Sequence, residues 1–144
     1  MLTLILPLTG GTNGWALAGG KYYVEGNLTM NGHVLLVTEQ AQLHVTGNFT
    51  MDILSEIRIY PGASLQLYVG GTNATIARVT LLDPSATALT FQYYGLPGNT
   101  MVTWSGMQAF LGTIYAPSAQ FKLGGGGVSV VDFQGACAAN AFLL

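Results

Sequence analysis

The feature that most constrains this fold is a phrase that occurs twice, 21 residues apart. The stretch "YYVEGNLTMNG" begins at Tyr22, and "LHVTGNFTMDI" begins at Leu43. Five positions are identical: Val24, Gly26, Asn27, Thr29 and Met30 return as Val45, Gly47, Asn48, Thr50 and Met51. Repeats of this length are typical of solenoids, in which each repeat buries its apolar side only against its neighbours.

Three further segments extend the repeat. "LQLYVGGTNATI" aligns with the second copy through Leu67, Val69 and Gly71. Near the C-terminus, "FLGTIYAPSAQF" and "FQGACAANAFLL" align at a shift of 23 residues, which pairs Phe110 with Phe133, Gly112 with Gly135 and Ala116 with Ala139. Several coils of similar length are therefore expected.

Apolar residues alternate with polar ones inside each copy. Val24, Leu28 and Met30 share one face of "YVEGNLTM", and Tyr23, Asn27 and Thr29 share the other. This period of two indicates strands, and glycines at their ends supply corners. The sequence predicts an all-β chain, a right-handed single-stranded parallel β-helix (β-solenoid) of about six coils of 21–24 residues. One domain is expected over 1–144, as a module of a longer surface protein.

Four local predictions complete this fold. The apolar opening "MLTLILPLTGG" is expected to form a first strand rather than a signal segment. Residues 78–106 contain no clean copy and are interpreted as two degenerate coils with turns at Asp83-Pro84 and Pro97-Gly98-Asn99. Gly124 to Gly127 are expected to form a bend. Cys137, which aligns with Ile114, is expected to be a small buried hydrophobe.

Composition excludes several classes of function. Only 7% of the residues are charged, against about a quarter in typical domains. The four basic residues are scattered, so no patch can neutralise phosphates, and no nucleic-acid partner is expected. No apolar run approaches the roughly 20 residues of a transmembrane segment, so none is expected. A single cysteine allows no internal disulfide.

Catalytic and metal-binding patterns are weak. Glu25 aligns with Thr46 and Asn31 with Asp52, so acidic residues do not line up from repeat to repeat. His33 and His44 fall at different phases of the repeat, without a third ligand at metal spacing. The sequence predicts no enzyme, no metal site and no cofactor.

One outward column is the candidate ligand site. Tyr23, His44 and Tyr68 occupy equivalent positions, with Asn27 and Asn48 expected beside them. Aromatic rings flanked by amides can hold sugar rings, but such a column can equally be an aromatic ladder on a β-face. Likewise, the three Asn-x-Thr sites at Asn27, Asn48 and Asn73 match the glycosylation acceptor pattern, or form a hydrogen-bonded ladder between coils.

Most of the chain, from about Gly20 onward, resembles a known family, and the C-terminal third carries its clearest motifs. In "FLGTIYAPSAQFKLGGGGVSVVDFQGACAANAF", a Gly-x-Ile-Tyr-Ala-Pro-x-Ala phrase at 112–119 precedes a glycine-rich bend and the phrase Phe133 to Ala136. This resembles the β-helical repeat domain of bacterial cell-surface and type IV pilus-associated proteins. A weaker likeness links the chain to bactofilins, which polymerise end to end through β-helices.

The resemblance implies a non-enzymatic structural or adhesive module of a bacterial envelope or pilus-associated protein, secreted to the cell surface, with a protein or glycan partner there. One alternative is a carbohydrate-binding or carbohydrate-cleaving β-helix. Another is a scaffold that polymerises end to end through open coil ends, because an unpaired strand edge recruits further chains unless it is blocked.

Overall fold

The computed structural model describes residues 2–3, 14–124 and 132–143. Every regular element in this part of the chain is a β-strand, and the strands are parallel. They are β1 (Leu2–Thr3), β2 (Gly14–Leu17), β3 (Gly20–Val24), β4 (Leu28–Met30), β5 (Val34–Val37), β6 (Gln40–Val45), β7 (Phe49–Met51), β8 (Glu56–Ile59), β9 (Ser64–Val69), β10 (Asn73–Ile76), β11 (Val79–Leu81), β12 (Phe91–Gly95), β13 (Met101–Trp104), β14 (Phe110–Leu123) and β15 (Phe133–Leu143).

Each of the four coils between Gly14 and Trp104 contains three strands, and equivalent strands of successive coils pair side by side. The tyrosine face contains β1, β3, β6, β9, β12 and the first part of β14. The threonine face contains β4, β7, β10, β13 and the last part of β14. The third face contains β2, β5, β8 and β11. With β14 and β15 as the last two coils, the predicted parallel β-solenoid of about six turns is confirmed.

The strand registers confirm the repeat alignments. Val24 pairs with Val45, and Thr29 pairs with Thr50. The third copy continues the register, since Val45 pairs with Val69. In the last pair of coils, Phe110 lies opposite Phe133, Gly112 opposite Gly135 and Ala116 opposite Ala139. The phrase recurs because each coil presents the same inward side chains to the coil beside it.

A continuous apolar core fills the solenoid. The alternate residues of β6 and β9 are buried, among them Leu43 and Leu67, and the later coils add rings such as Phe91 and Phe110. One polar pair lies inside this core. The Tyr93 hydroxyl donates a hydrogen bond of 2.8 Å to Oδ1 of the fully buried Asn99, and Asn99 Nδ2 donates to the carbonyl of Gly71 at 3.0 Å. Both buried polar groups are thus satisfied.

The corners follow from turn chemistry. At Tyr60–Ala63, the Ala63 amide donates to the Tyr60 carbonyl at 3.0 Å. Pro61 occupies the first central position of this turn, and Gly62 has φ of 79°. This is a type II turn, which requires positive φ at its second central residue. The Pro-Gly dipeptide, a common turn signal, thus marks this corner in the sequence.

Two predictions about the coils are wrong. Residues 78–106 form one coil, with β11, β12 and β13 as its three sides, and the nine residues between β11 and β12 lengthen it. The turns at Asp83-Pro84 and Pro97-Gly98 are present, but they belong to this one coil. Cys137 pairs with the buried Ile114 as expected, yet its side chain is exposed, because β15 is the last described strand and has a neighbour on one side only.

Two other predictions are covered only in part. Leu2–Thr3 pairs with Tyr22 and Tyr23 of β3, which agrees with a first strand; residues 4–13 lie outside the described part. Gly124, the first residue of the predicted bend, has a φ of 146°, and Gly125 to Gly127 lie outside the described residues.

Candidate functional site on the tyrosine face

The predicted aromatic column exists and is longer than expected. Tyr23 pairs with His44, and His44 pairs with Tyr68. The register then continues through Tyr94 to Tyr115. The sequence-based interpretation found the first three rungs and missed the last two, because the longer coil at 78–106 shifts Tyr94 out of the expected period.

The central rings of the column stack on each other. His44 and Tyr68 have ring centroids 4.3 Å apart and an interplanar angle of 3°, and Tyr68 and Tyr94 lie 4.8 Å apart at 13°. Each ring therefore covers a face of its neighbour, and the exposed parts are the ring edges. A sugar binds an aromatic side chain through the ring face. The middle of the column thus has the geometry of a ladder rather than of a row of sugar platforms.

A column of glutamines runs beside the rings. Gln42, Gln66 and Gln92 pair in register, and two of them accept hydrogen bonds from the aromatic column. The Tyr68 hydroxyl donates to Gln66 at 3.2 Å, and the Tyr94 hydroxyl donates to Gln92 at 2.5 Å. Burial and the neighbouring Tyr94 raise the pKa of Tyr68. The signal that could have located Tyr94 is the triplet Gln-x-aromatic, present as "QLH", "QLY" and "QYY".

The column changes character at its C-terminal end. Tyr115 is 51% exposed and its ring is tilted by 55° to that of Tyr94, at a centroid distance of 6.3 Å. The next rung is Ala138, which is too small to cover the ring. Tyr115 is therefore the member of the column best placed to offer a ring face to a ligand.

Asn27 and Asn48 lie at a corner between the tyrosine and threonine faces rather than within the ring stack. Their side chains join successive coils: Asn27 Oδ1 accepts a hydrogen bond of 2.8 Å from the Asn48 amide, and Asn48 Oδ1 accepts one of 3.1 Å from the Asn73 amide. The interpretation of the Asn-x-Thr sites as a ladder agrees with these contacts. The three threonines of the sites pair in register along the threonine face.

An ion pair lies away from the aromatic column, on the third face. Glu56 and Arg58 form an ion pair with a distance of 2.9 Å between Oε2 and Nη2. Burial of Glu56 opposes its ionisation, but hydrogen bonds from Arg58 and Thr80 together with the charge of Arg58 lower its pKa. Among residues 2–3, 14–124 and 132–143, no group of three or more His, Cys, Asp or Glu side chains is placed to hold a metal ion. The same part of the chain contains no helix long and apolar enough to cross a membrane.

The fold and this face define a class of protein: a parallel β-solenoid with a laddered aromatic and amide surface. The chain belongs to the family of the domain of unknown function DUF7305, whose model matches residues 7–144. No curated protein and no solved structure matches the chain. The family description names no activity, so the resemblance to pilus-associated proteins and bactofilins stays a prediction.

Proposed function

We propose that this chain is a non-enzymatic structural module of a bacterial envelope or pilus-associated protein, located at the cell surface. The observation that carries the proposal is the stack of His44, Tyr68 and Tyr94, in which outward side chains contact one another along the solenoid axis. Such contacts join three successive coils on the outside, as the apolar core does on the inside.

The surface chemistry supports this role. Few charges and many Thr, Asn and Gln side chains leave a polar, nearly neutral exterior. Asn48 bonds to the backbone of the following coil, and Tyr94 bonds to Gln92 on its own strand. Side chains that are already paired are less available to a ligand, because binding would first have to break those contacts.

A carbohydrate-binding role is the second candidate, and Tyr115 is the observation that favours it. Its half-exposed ring follows a column of hydroxyl and amide groups, and sugar sites commonly combine one open ring with a few polar groups. In this case the contact would be confined to the C-terminal end of the tyrosine face rather than spread over Tyr23, His44 and Tyr68.

End-to-end assembly is the third candidate. In the described part of the chain, β15 pairs only with β14, and it exposes Phe142 by 44% and Leu143 by 40%. The strand carries no charge and no proline, the usual devices that block an edge. Light scattering against concentration tests this candidate directly: growth in mass supports assembly, and a constant monomer mass removes it.

Two measurements test the proposed structural role. Antibody labelling of intact cells that produce the natural protein should detect the domain before permeabilisation. A glycan array probed with the purified chain should give no signal above a blank. The structural role would be replaced by the carbohydrate-binding one if the chain bound a glycan saturably and Tyr115→Ala abolished this binding. The circular dichroism spectrum of the variant must then match that of the unchanged chain.

A further inference from the structure

The three most exposed large apolar side chains of the described residues lie at one corner of the solenoid. They are Ile53, Leu54 and Met107, with 83%, 75% and 73% of their surface exposed. Ile53 and Met107 line a groove of about 510 Å³, which is formed by the loops of three successive coils between the threonine face and the third face. Exposed apolar side chains gathered around a concave surface commonly mark a binding site.

The turn that carries Ile53 and Leu54 is firmly held. The Ser55 amide donates to the Asp52 carbonyl at 3.1 Å, which closes a four-residue turn with Ile53 and Leu54 at its two central positions. The Ser55 side chain is fully buried and donates to the Met30 carbonyl at 2.5 Å. Central turn positions usually hold Gly, Pro, Asn, Asp or Ser. Two large apolar residues at these positions are not explained by turn formation or by packing.

The loop that carries Met107 is also fixed to the body of the solenoid. The indole nitrogen of the buried Trp104 donates to the Gln108 carbonyl at 3.1 Å, and the Ser105 amide donates to the Ile76 carbonyl at 2.9 Å. Gly106 packs so closely on the carbonyl of Ala77 that a Cβ atom would overlap it. The loop is thus anchored at both sides of Met107, whose side chain remains outside.

A positive charge lies between the two apolar walls. Arg78 lines the groove, and the ion pair of the described residues is the one between Arg58 and Glu56. Glu56 feels the charge of Arg78, but its carboxylate is hydrogen-bonded to Arg58. The Asp52 carboxylate accepts hydrogen bonds from the backbone amides of Leu54 and Gly32. The guanidinium of Arg78 is therefore available to an added carboxylate.

We propose that this corner groove binds an extended peptide segment of a partner protein, in which a carboxylate side chain is flanked on both sides by apolar side chains. Ile53, Arg78 and Met107 lie on loops of successive coils, about 4.8 Å apart along the axis. The groove is thus apolar, positive and apolar in that order. A fatty acid has its carboxylate at one end only, so it would leave one wall uncovered. This site goes beyond the structural role, since it supplies a point of lateral attachment.

Selection from a display library of random ten-residue peptides against the immobilised chain tests the proposal. Selected peptides should be enriched in Asp or Glu with apolar neighbours on both sides. Arg78→Gln should weaken the best peptide at least about tenfold, as expected for loss of a charge-assisted hydrogen bond, and Met107→Ser should weaken it severalfold. Leu89→Ser is the matched control, because Leu89 is 66% exposed but does not line the groove.

Three results would overturn the proposal: no peptide enriched above a blank surface, enrichment without acidic residues, or equal affinity for the unchanged chain and Arg78→Gln. The substituted side chains are exposed, so the variants should keep their thermal unfolding temperature. If one does not, replacement of the acidic residue in the peptide by Asn or Gln gives the same comparison on the unchanged protein. Replacement of this residue without loss of affinity would also exclude the site.

Discussion

The rings of His44 and Tyr68, 24 residues apart in the sequence, lie parallel at 4.3 Å on the surface of the solenoid. Burial, together with the charge of Lys21, lowers the pKa of His44 below its ordinary value of 6.5. The aromatic column therefore contains one rung whose charge depends on pH. This property allows the contribution of the column to stability to be measured apart from that of the apolar core.

Stability should fall on mild acidification because of His44. Below pH 6.5 the unfolded chain binds a proton at His44 more readily than the folded chain, so the free energy of unfolding decreases as pH falls towards the lowered folded pKa. The stabilisation that the neutral His44 side chain provides is therefore fully present above pH 6.5. His44→Tyr continues the column without a titrating group, and it should lose less stability than the unchanged chain between about pH 7.5 and 5.5. Equal losses in denaturant titrations would contradict this assignment.

The internal pair of Tyr93 and Asn99 should contribute much more than its outward neighbour. Tyr93→Phe leaves Oδ1 of the fully buried Asn99 without its donor, so it should lower the free energy of unfolding by about 1–3 kcal/mol. Tyr94→Phe is the matched control, since it removes a hydrogen bond to Gln92 at the surface, and it should change stability by less than about 1 kcal/mol. Urea unfolding of both variants tests the difference, and similar effects would contradict the account of the interior.

The asparagine ladder should depend on the side-chain oxygen rather than on the amide nitrogen. Asn48→Ala removes the acceptor of the Asn73 amide and should lower the free energy of unfolding by about 1 kcal/mol. Asn48→Asp retains an acceptor oxygen and should lose less. Thermal unfolding of the two variants decides the matter. If Asn48→Asp destabilises the chain as much as Asn48→Ala, the hydrogen bond to the next coil is not the source of the stability that Asn48 provides.

Much of the fold could be predicted from the sequence, because the residues that repeat are the ones that set the register. Val24 and Val45, or Phe110 and Phe133, align by identity and pair in the structure. The coil at 78–106 could not be delimited in this way, since nine residues inserted between β11 and β12 break the period without adding strands. Cys137 shows a second limit. Strand register predicts the direction in which a side chain points, but burial of that side chain also requires a neighbouring coil on its other side.

The candidate sites were less predictable. Tyr23, His44 and Tyr68 could be assigned to one column by alternation, but stacked rings and flat sugar platforms have the same sequence pattern. Only the angle of 3° between His44 and Tyr68 distinguishes them. The corner groove joins Ile53, the last residue of the second copy of the phrase, to Met107, which lies outside the repeat, so neither periodicity nor composition indicates their proximity.

The most direct test of the structural role is a double-mutant cycle of Tyr68 and Tyr94, measured by denaturant unfolding of Tyr68→Ala, Tyr94→Ala and the double variant. Stacked rings at 4.8 Å should give a coupling energy of about 1 kcal/mol. A parallel cycle of Tyr23 and Tyr115, which are four coils apart, should give none. Coupling at Tyr68 and Tyr94 alone would support a column that stabilises the solenoid, and absence of coupling there would contradict it.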